Sequence, residues 1–136
     1  MKFDRASRAE RWSVASNEEL RAAIKAPDLV WLDVRTEAEI AEKPLPRSLR
    51  AERCPCTMFS TAALAEKAPQ LFPNKAASIL VLCSGGGRAE EARKCLVNLG
   101  YTGCITNGGM IEDLQEGIPD VLKVAWQKDA ATGPVV

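Results

Sequence analysis

At 136 residues the chain has the length of one domain, long enough to bury a core and too short for two. Eighteen basic residues balance 18 acidic ones, which excludes a nucleic-acid or membrane-surface binder that relies on bulk positive charge. No apolar run approaches the ~20 residues of a membrane span, and the complete absence of histidine removes Ser-His-Asp and Cys-His pairs, His-ligated metals and imidazole proton shuttles.

In chain order, Met1 to Arg11 lacks the apolar centre of a secretory signal. Arg5, Arg8 and Arg11 faintly suggest organelle targeting, but Asp4 and Glu10 interrupt the charge that such targeting needs. Ser16-Asn17-Glu18-Glu19 is a capping box, and the helix it starts is expected to run through Lys25 and stop before Pro27. Leu29 to Val34 has the length and composition of a strand buried on both faces. Thr36 to Glu39 is a second capping box, so a second helix is expected directly after that strand. Lys43 to Cys56, rich in Pro and Arg, is expected to be irregular.

Ser60 caps a predicted third helix over 61–67, closed by Pro69, and Ser78 to Leu82 is the next predicted strand. A strong helix is predicted from Arg88 to Leu99, with Ala92, Cys95, Leu96 and Leu99 on its buried face and Gly100 ending it. A short strand is expected between Tyr101 and Thr106, a last helical piece around Met110 to Gln115, and a flexible tail from about residue 130. Strands alternating with helices imply one α/β domain, a mostly parallel sheet with helices on both faces, whose reactive groups gather beyond the carboxyl ends of the strands.

Cys83 stands at such an end, followed by Ser84, Gly85, Gly86, Gly87 and Arg88. Glycines let successive backbone N–H groups converge on an anion, and the helix start adds unpaired amides and the positive end of its dipole. The same donors favour a thiolate without histidine. Cys83 is therefore the candidate nucleophile. Ser84, Gly85, Gly86, Gly87 and Arg88 are the candidate binding residues, with the planar fork of Arg88 suited to an oxyanion. Asp33 and Arg35 are expected to form a charged pair supporting the site.

Five cysteines at irregular spacing fit free thiols and, by default, a cytoplasmic protein. Cys95 and Cys104 are expected in the core. Cys54-Pro55-Cys56 is either an accessory thiol pair or structural. Neither a zinc site nor a nucleotide-binding motif is present.

The loop resembles the active-site loop of rhodanese domains, Cys-x-x-Gly-x-Arg, with Cys83, Gly86 and Arg88 on the matching positions. Trp31-Leu32-Asp33-Val34-Arg35 resembles that family's Asp-Val-Arg segment, Asn107-Gly108-Gly109 its paired-glycine turn, and Glu116-Gly117-Ile118-Pro119 its terminal Gly-x-Pro stretch. The likeness extends over about residues 12–122. It departs at Lys43 to Arg50, where the family's Gly-His-Ile-Pro-Gly-Ala-x-Asn stretch is reduced to Leu45-Pro46, and at Leu114, where an aromatic residue is usual.

The resemblance implies a single domain with about five strands and a sulfurtransferase without cofactor or metal. Cys83 would take a sulfane sulfur from a small anion such as thiosulfate and pass it to a thiol or cyanide, a protein donor or acceptor being a further option. A sulfur-carrier or binding module is the first alternative. A cysteine phosphatase or arsenate reductase is the second, disfavoured because those loops resemble Cys-x5-Arg whereas four residues separate Cys83 from Arg88 here.

Overall fold

The computed structural model describes residues 3–132. Helices α1 (Arg5–Trp12) and α2 (Asn17–Ala23) precede strand β1 (Val30–Asp33) and helix α3 (Glu37–Glu42). A 3-10 turn (Arg47–Leu49), β2 (Glu52–Arg53), α4 (Ala62–Leu71), β3 (Ile79–Leu82) and α5 (Gly87–Asn98) follow. The chain then forms β4 (Ile105–Asn107), α6 (Ile111–Gly117) and α7 (Pro119–Thr132). The four strands lie in the order β2-β1-β3-β4, all parallel, with Leu32 opposite Glu52, Leu32 opposite Val81, and Val81 opposite Asn107.

Alternation along β1 and β3 divides the core in two. Leu32, Val34, Ile79, Val81 and Cys83 face α4 and α5, packing with Leu64, Ala68, Phe72, Ala92 and Leu96. Trp31, Leu80 and Leu82 face the other way, against Leu20, Leu114, Ile118 and Leu122 of α2, α6 and the start of α7. Leu80, Leu82 and Val81 are fully buried, each stabilising the fold by about 2 kcal/mol on transfer from water. A strand apolar on both faces belongs at the centre of a parallel sheet, which is where β3 lies.

Both predicted capping boxes are present. Ser16 and Glu19, and Thr36 and Glu39, bond each other's backbone amides at 2.9–3.2 Å. Several local expectations are corrected. α4 runs past Pro69 to Leu71, because Leu64, Ala68 and Phe72 are buried and the Phe72 amide closes on the Ala68 carbonyl at 2.7 Å. The irregular stretch before Cys56 contains the two-residue edge strand β2, whose charged side chains carry no apolar alternation. Cys104 is exposed rather than in the core, just ahead of β4. Of the tail expected to be flexible from about residue 130, residues 130–132 continue α7, and residues 133–136 lie outside those described.

α7 packs on the 3-10 turn within the atypical Lys43 to Arg50 stretch. The Asp129 carboxylate accepts the amides of Arg47 at 2.7 Å and Ser48 at 2.9 Å, and the Ser48 hydroxyl donates to the Ala125 carbonyl. The free amides of the 3-10 turn are thus satisfied by a side chain 82 positions beyond Arg47, a cap supplied by tertiary packing instead of by a neighbouring residue. Among the described residues, no helix is long and apolar enough to cross a membrane.

Candidate active site

After β1 the chain builds β2 on one side and after β2 it crosses to β3 on the other, so the carboxyl ends of β1 and β3 flank the switch point where α/β sheets present ligands. Asp33 ends β1, and Cys83 follows the last residue of β3. The Cys83 amide donates to the Gly109 carbonyl at 2.8 Å and the Gly108 amide to the Val81 carbonyl at 2.7 Å, tying the paired-glycine turn to the strand end. Cys83 is buried, and its Sγ accepts the Gly86 N–H at 2.9 Å.

Gly86 caps α5 with φ +126°, a conformation disfavoured for any other residue; a Cβ there would also overlap Val14 Cγ2. Its carbonyl accepts a hydrogen bond from Asn107 Nδ2 at 2.8 Å, and the same Nδ2 donates to the Trp12 carbonyl at 2.9 Å. Buried Asn107 therefore fastens the loop to the end of α1. Gly87 lies beneath Met58 and Trp12, where a Cβ would meet Met58 Sδ at 2.6 Å.

The polar side chains of the loop turn toward α3. Arg88 donates from both terminal nitrogens to Glu39, each at 2.8 Å, and the Ser84 hydroxyl hydrogen-bonds the same carboxylate. The Arg88 guanidinium, opposed by partial burial and helped by Ser84 and the Thr36 amide, holds the Glu39 carboxyl far below its usual range. Glu39, read from the sequence only as part of a capping box, thereby links that cap to the candidate nucleophile's loop. Asp33 and Arg35 form the expected pair: Arg35 Nε and Nη2 donate to the two Asp33 oxygens at 2.9 and 2.8 Å, and Nη1 donates to the Lys43 carbonyl at 2.7 Å.

The residue that sequence reasoning missed is Arg8 of α1. It is buried, donates to both oxygens of buried Asp113 at 2.5 and 2.8 Å, and reaches the Gly85 carbonyl at 3.0 Å. Bonding to Asp113 holds the Arg8 guanidinium above its ordinary value, with burial opposing and the neighbouring Cys83 adding to the effect. A signal for α1 was present: Asp4 accepts the Ser7 amide at 2.8 Å as an N-cap, ahead of a run rich in helix-forming Arg, Ala and Glu. Nothing local marks Arg8 as buried, because its partner lies 105 positions away.

A cavity of about 410 Å³ opens over Cys83, Ser84 and Gly85. Phe3, Arg8 and Trp12 form one wall; Arg35, Glu39, Glu42 and Lys43 another; Met110, Ile111 and Glu112 the third. Gly86, Gly87 and Arg88 are not on its surface. Cys54 and Cys56 are buried in the core layer that Cys83 shares, with burial pushing both thiols up, that of Cys56 to about 12. Cys95 packs half-buried against the same layer.

The rhodanese-like domain model matches residues 16–114, well over half of the chain. The protein belongs to the rhodanese-like domain family. Among solved structures, this rhodanese-like chain is similar to a single-domain sulfurtransferase of Saccharomyces cerevisiae at 22% identity and TM-score 0.51, covering 79% of this chain and 93% of that one. A second protein of the same yeast gives 24% identity and TM-score 0.52, covering 80% of this chain and 95% of that one. A protein of Staphylococcus saprophyticus gives 27% identity and TM-score 0.50, covering 71% and 87%. No curated protein matches. Both α1 and α7 lie outside the matched residues; Asn107 fastens α1 to the loop and Asp129 fastens α7 to the atypical segment.

Proposed function

We propose that the protein is a sulfurtransferase that carries sulfur as a persulfide on Cys83. The observation that supports this most directly is the position of Cys83, which lines the cavity and whose Sγ accepts the Gly86 N–H where α5 begins. A backbone donor fixed by a glycine-only conformation stabilises negative charge on sulfur without reorganising during the reaction. The four-residue spacing between Cys83 and Arg88 favours sulfur over a phosphoryl group.

In the first step the Cys83 thiolate attacks the outer sulfur of a donor such as thiosulfate. A new S–S bond forms on Cys83, the donor's S–S bond breaks, and sulfite leaves with the bonding pair. In the second step a thiol or cyanide attacks the outer sulfur and the Cys83 thiolate leaves. Storing the sulfur covalently divides one transfer into two easier ones. Intact-mass measurement after exposure to a panel of sulfane-sulfur donors tests the reading: one sulfur atom added to the wild type and none to Cys83→Ser is expected. Equal addition to both proteins, or Cys83-dependent hydrolysis of an aryl phosphate without sulfur loading, overturns it.

A further inference from the structure

Among the described residues the most exposed large apolar side chain is Phe59, 98% exposed in the turn ahead of α4. That turn is ordered: the Thr57 amide donates to the Ser60 carbonyl at 3.1 Å, and Thr57 Oγ1 accepts the Phe59 and Ser60 amides at 3.1 and 2.9 Å. A lone exposed apolar residue is ordinary, whereas a contiguous patch marks a place where something binds. Phe59 is not alone. The adjacent Met58, also exposed, and Trp12 both lie over Gly87 of the loop, where a Cβ would meet Met58 Sδ at 2.6 Å and Trp12 Cε2 at 3.2 Å. Trp12 in turn packs edge to face with exposed Phe3, their centroids 5.8 Å apart. Phe59, Met58, Trp12 and Phe3 thus follow one another as an apolar ridge beside the loop.

The charges beside the ridge indicate what covers it. Arg11 lies along it, its guanidinium 4.9 Å from the Phe3 ring centroid and 5.6 Å from that of Trp12, and among the described residues no carboxylate forms an ion pair with it. Asp4, the N-cap of α1, is exposed as well. Asp4, Ser7 and Arg11 are spaced by three and four residues, so all three share one exposed side of the helix. Opposite charges two turns apart, with a small residue between them, are their own complement under two-fold symmetry. An antiparallel second α1 sets Arg11 against Asp4 at both ends. With 18 basic and 18 acidic residues, two copies carry no net charge to hold them apart.

We propose that the ridge and the exposed side of α1 form a two-fold contact with a second copy of this chain. The apolar side chains of the two ridges cover one another, while Asp4 and Arg11 of each copy meet Arg11 and Asp4 of the other. An unrelated partner needs only to complement the ridge; the self-complementary charges on α1 favour a second copy. Phe3 and Trp12 also line the cavity over Cys83, so the second copy stands at the rim of that cavity. Phe3, Asp4, Arg11 and Trp12 all precede residues 16–114, which the family model matches. One helix side and four apolar side chains make a small interface, of the weak class below about 1,200 Å² with a dissociation constant in roughly the micromolar range. The contact is independent of the chemistry at Cys83.

Sedimentation equilibrium of the full chain from about 5 to 500 µM tests this, and the mass is expected to rise from monomer toward dimer over that range. A reducing agent is present throughout, so that exposed Cys104 does not cross-link copies. Phe59→Ser changes a side chain that stands in solvent, so the fold is kept while the dissociation constant is expected to rise at least about tenfold. Arg11→Glu sets two carboxylates against each other at both ends and is expected to weaken the dimer by about tenfold. Adding Asp4→Asn, which keeps a good N-cap, removes that repulsion and should recover about threefold or more. A chain that stays monomeric at about 500 µM overturns the proposal and leaves the ridge to a different protein. A dimer that Phe59→Ser does not weaken overturns it too, because the copies then meet elsewhere. An Arg11→Glu loss that Asp4→Asn leaves unchanged also overturns it, since the two side chains would then not face each other.

Discussion

Arg8→Met isolates the contribution of the contact between helix α1 and the loop. The Arg8 and Asp113 side chains are 8% and 4% exposed, so the substitution leaves a carboxylate in the interior that has lost a two-point partner. Breaking a buried pair from one side costs about 3–5 kcal/mol. Arg5 Nε, 3.7 Å from Asp113 Oδ1, and the Met110 amide at 3.0 Å remain to compensate, which places the loss near the lower end, about 3 kcal/mol. For a chain of this size that corresponds to a fall in Tm of about 10 °C. Urea unfolding and thermal melts of the wild type, Arg8→Met and Arg8→Met/Asp113→Asn measure it. In the double variant the neutral side-chain amide introduced by Asp113→Asn keeps an acceptor for the Met110 N–H without the stranded charge, so at least about 1 kcal/mol should be recovered. A loss under about 1 kcal/mol, or no recovery in the double variant, would refute the claim that a buried charge pair holds α1 on the loop.

Three further outcomes are expected. Gly86→Ala should cost about 2–3 kcal/mol through its positive φ and the Val14 contact, whereas Gly85→Ala, whose Cβ would meet nothing within 4 Å, should cost under about 1 kcal/mol; chemical denaturation of the two compares them. Because the folded Glu39 carboxyl is held below its ordinary value of 4.5, its contribution is full above that pH and is lost as pH falls toward the folded value. The stability gap between wild type and Glu39→Gln should thus be constant from about pH 7 to pH 5 and narrow by about pH 3, and an unchanged gap at the acid end would contradict the Arg88 pairing. Alkylation of the native protein at about pH 8 should label exposed Cys104 readily and spare Cys54 and Cys56, the latter with its thiol pushed up to about 12; urea should release both, and mass mapping of the peptides decides it.

How much was legible in the sequence depends on whether a residue's partner is near it in the chain. Both capping boxes, the Asp33–Arg35 pair and the strand that delivers Cys83 were readable because each rests on contacts within a few residues or on a local apolar pattern. Gly86 was readable as part of a glycine-rich turn, though not as the loop glycine whose positive φ and surroundings together admit no side chain. β2 was not readable, since two charged residues at a sheet edge are ordered by β1 and not by their own propensity. The run through Pro69 was decided by the burial of Leu64, Ala68 and Phe72, which outweighs the proline's missing donor.

The sequence by itself determined the alternating α/β layout, the buried central strand and the placement of a lone nucleophile ahead of a glycine-rich helix start in a chain without histidine. Tertiary structure alone decided what surrounds that nucleophile. Arg8 meets Asp113 across 105 positions, Arg88 meets Glu39 across 49, and Asp129 caps the turn at Arg47 across 82. Charge pairs of this kind follow from how the helices pack on the sheet, and local patterns encode only that each such residue is polar. The balance of charge over Cys83 is therefore a property of the folded chain.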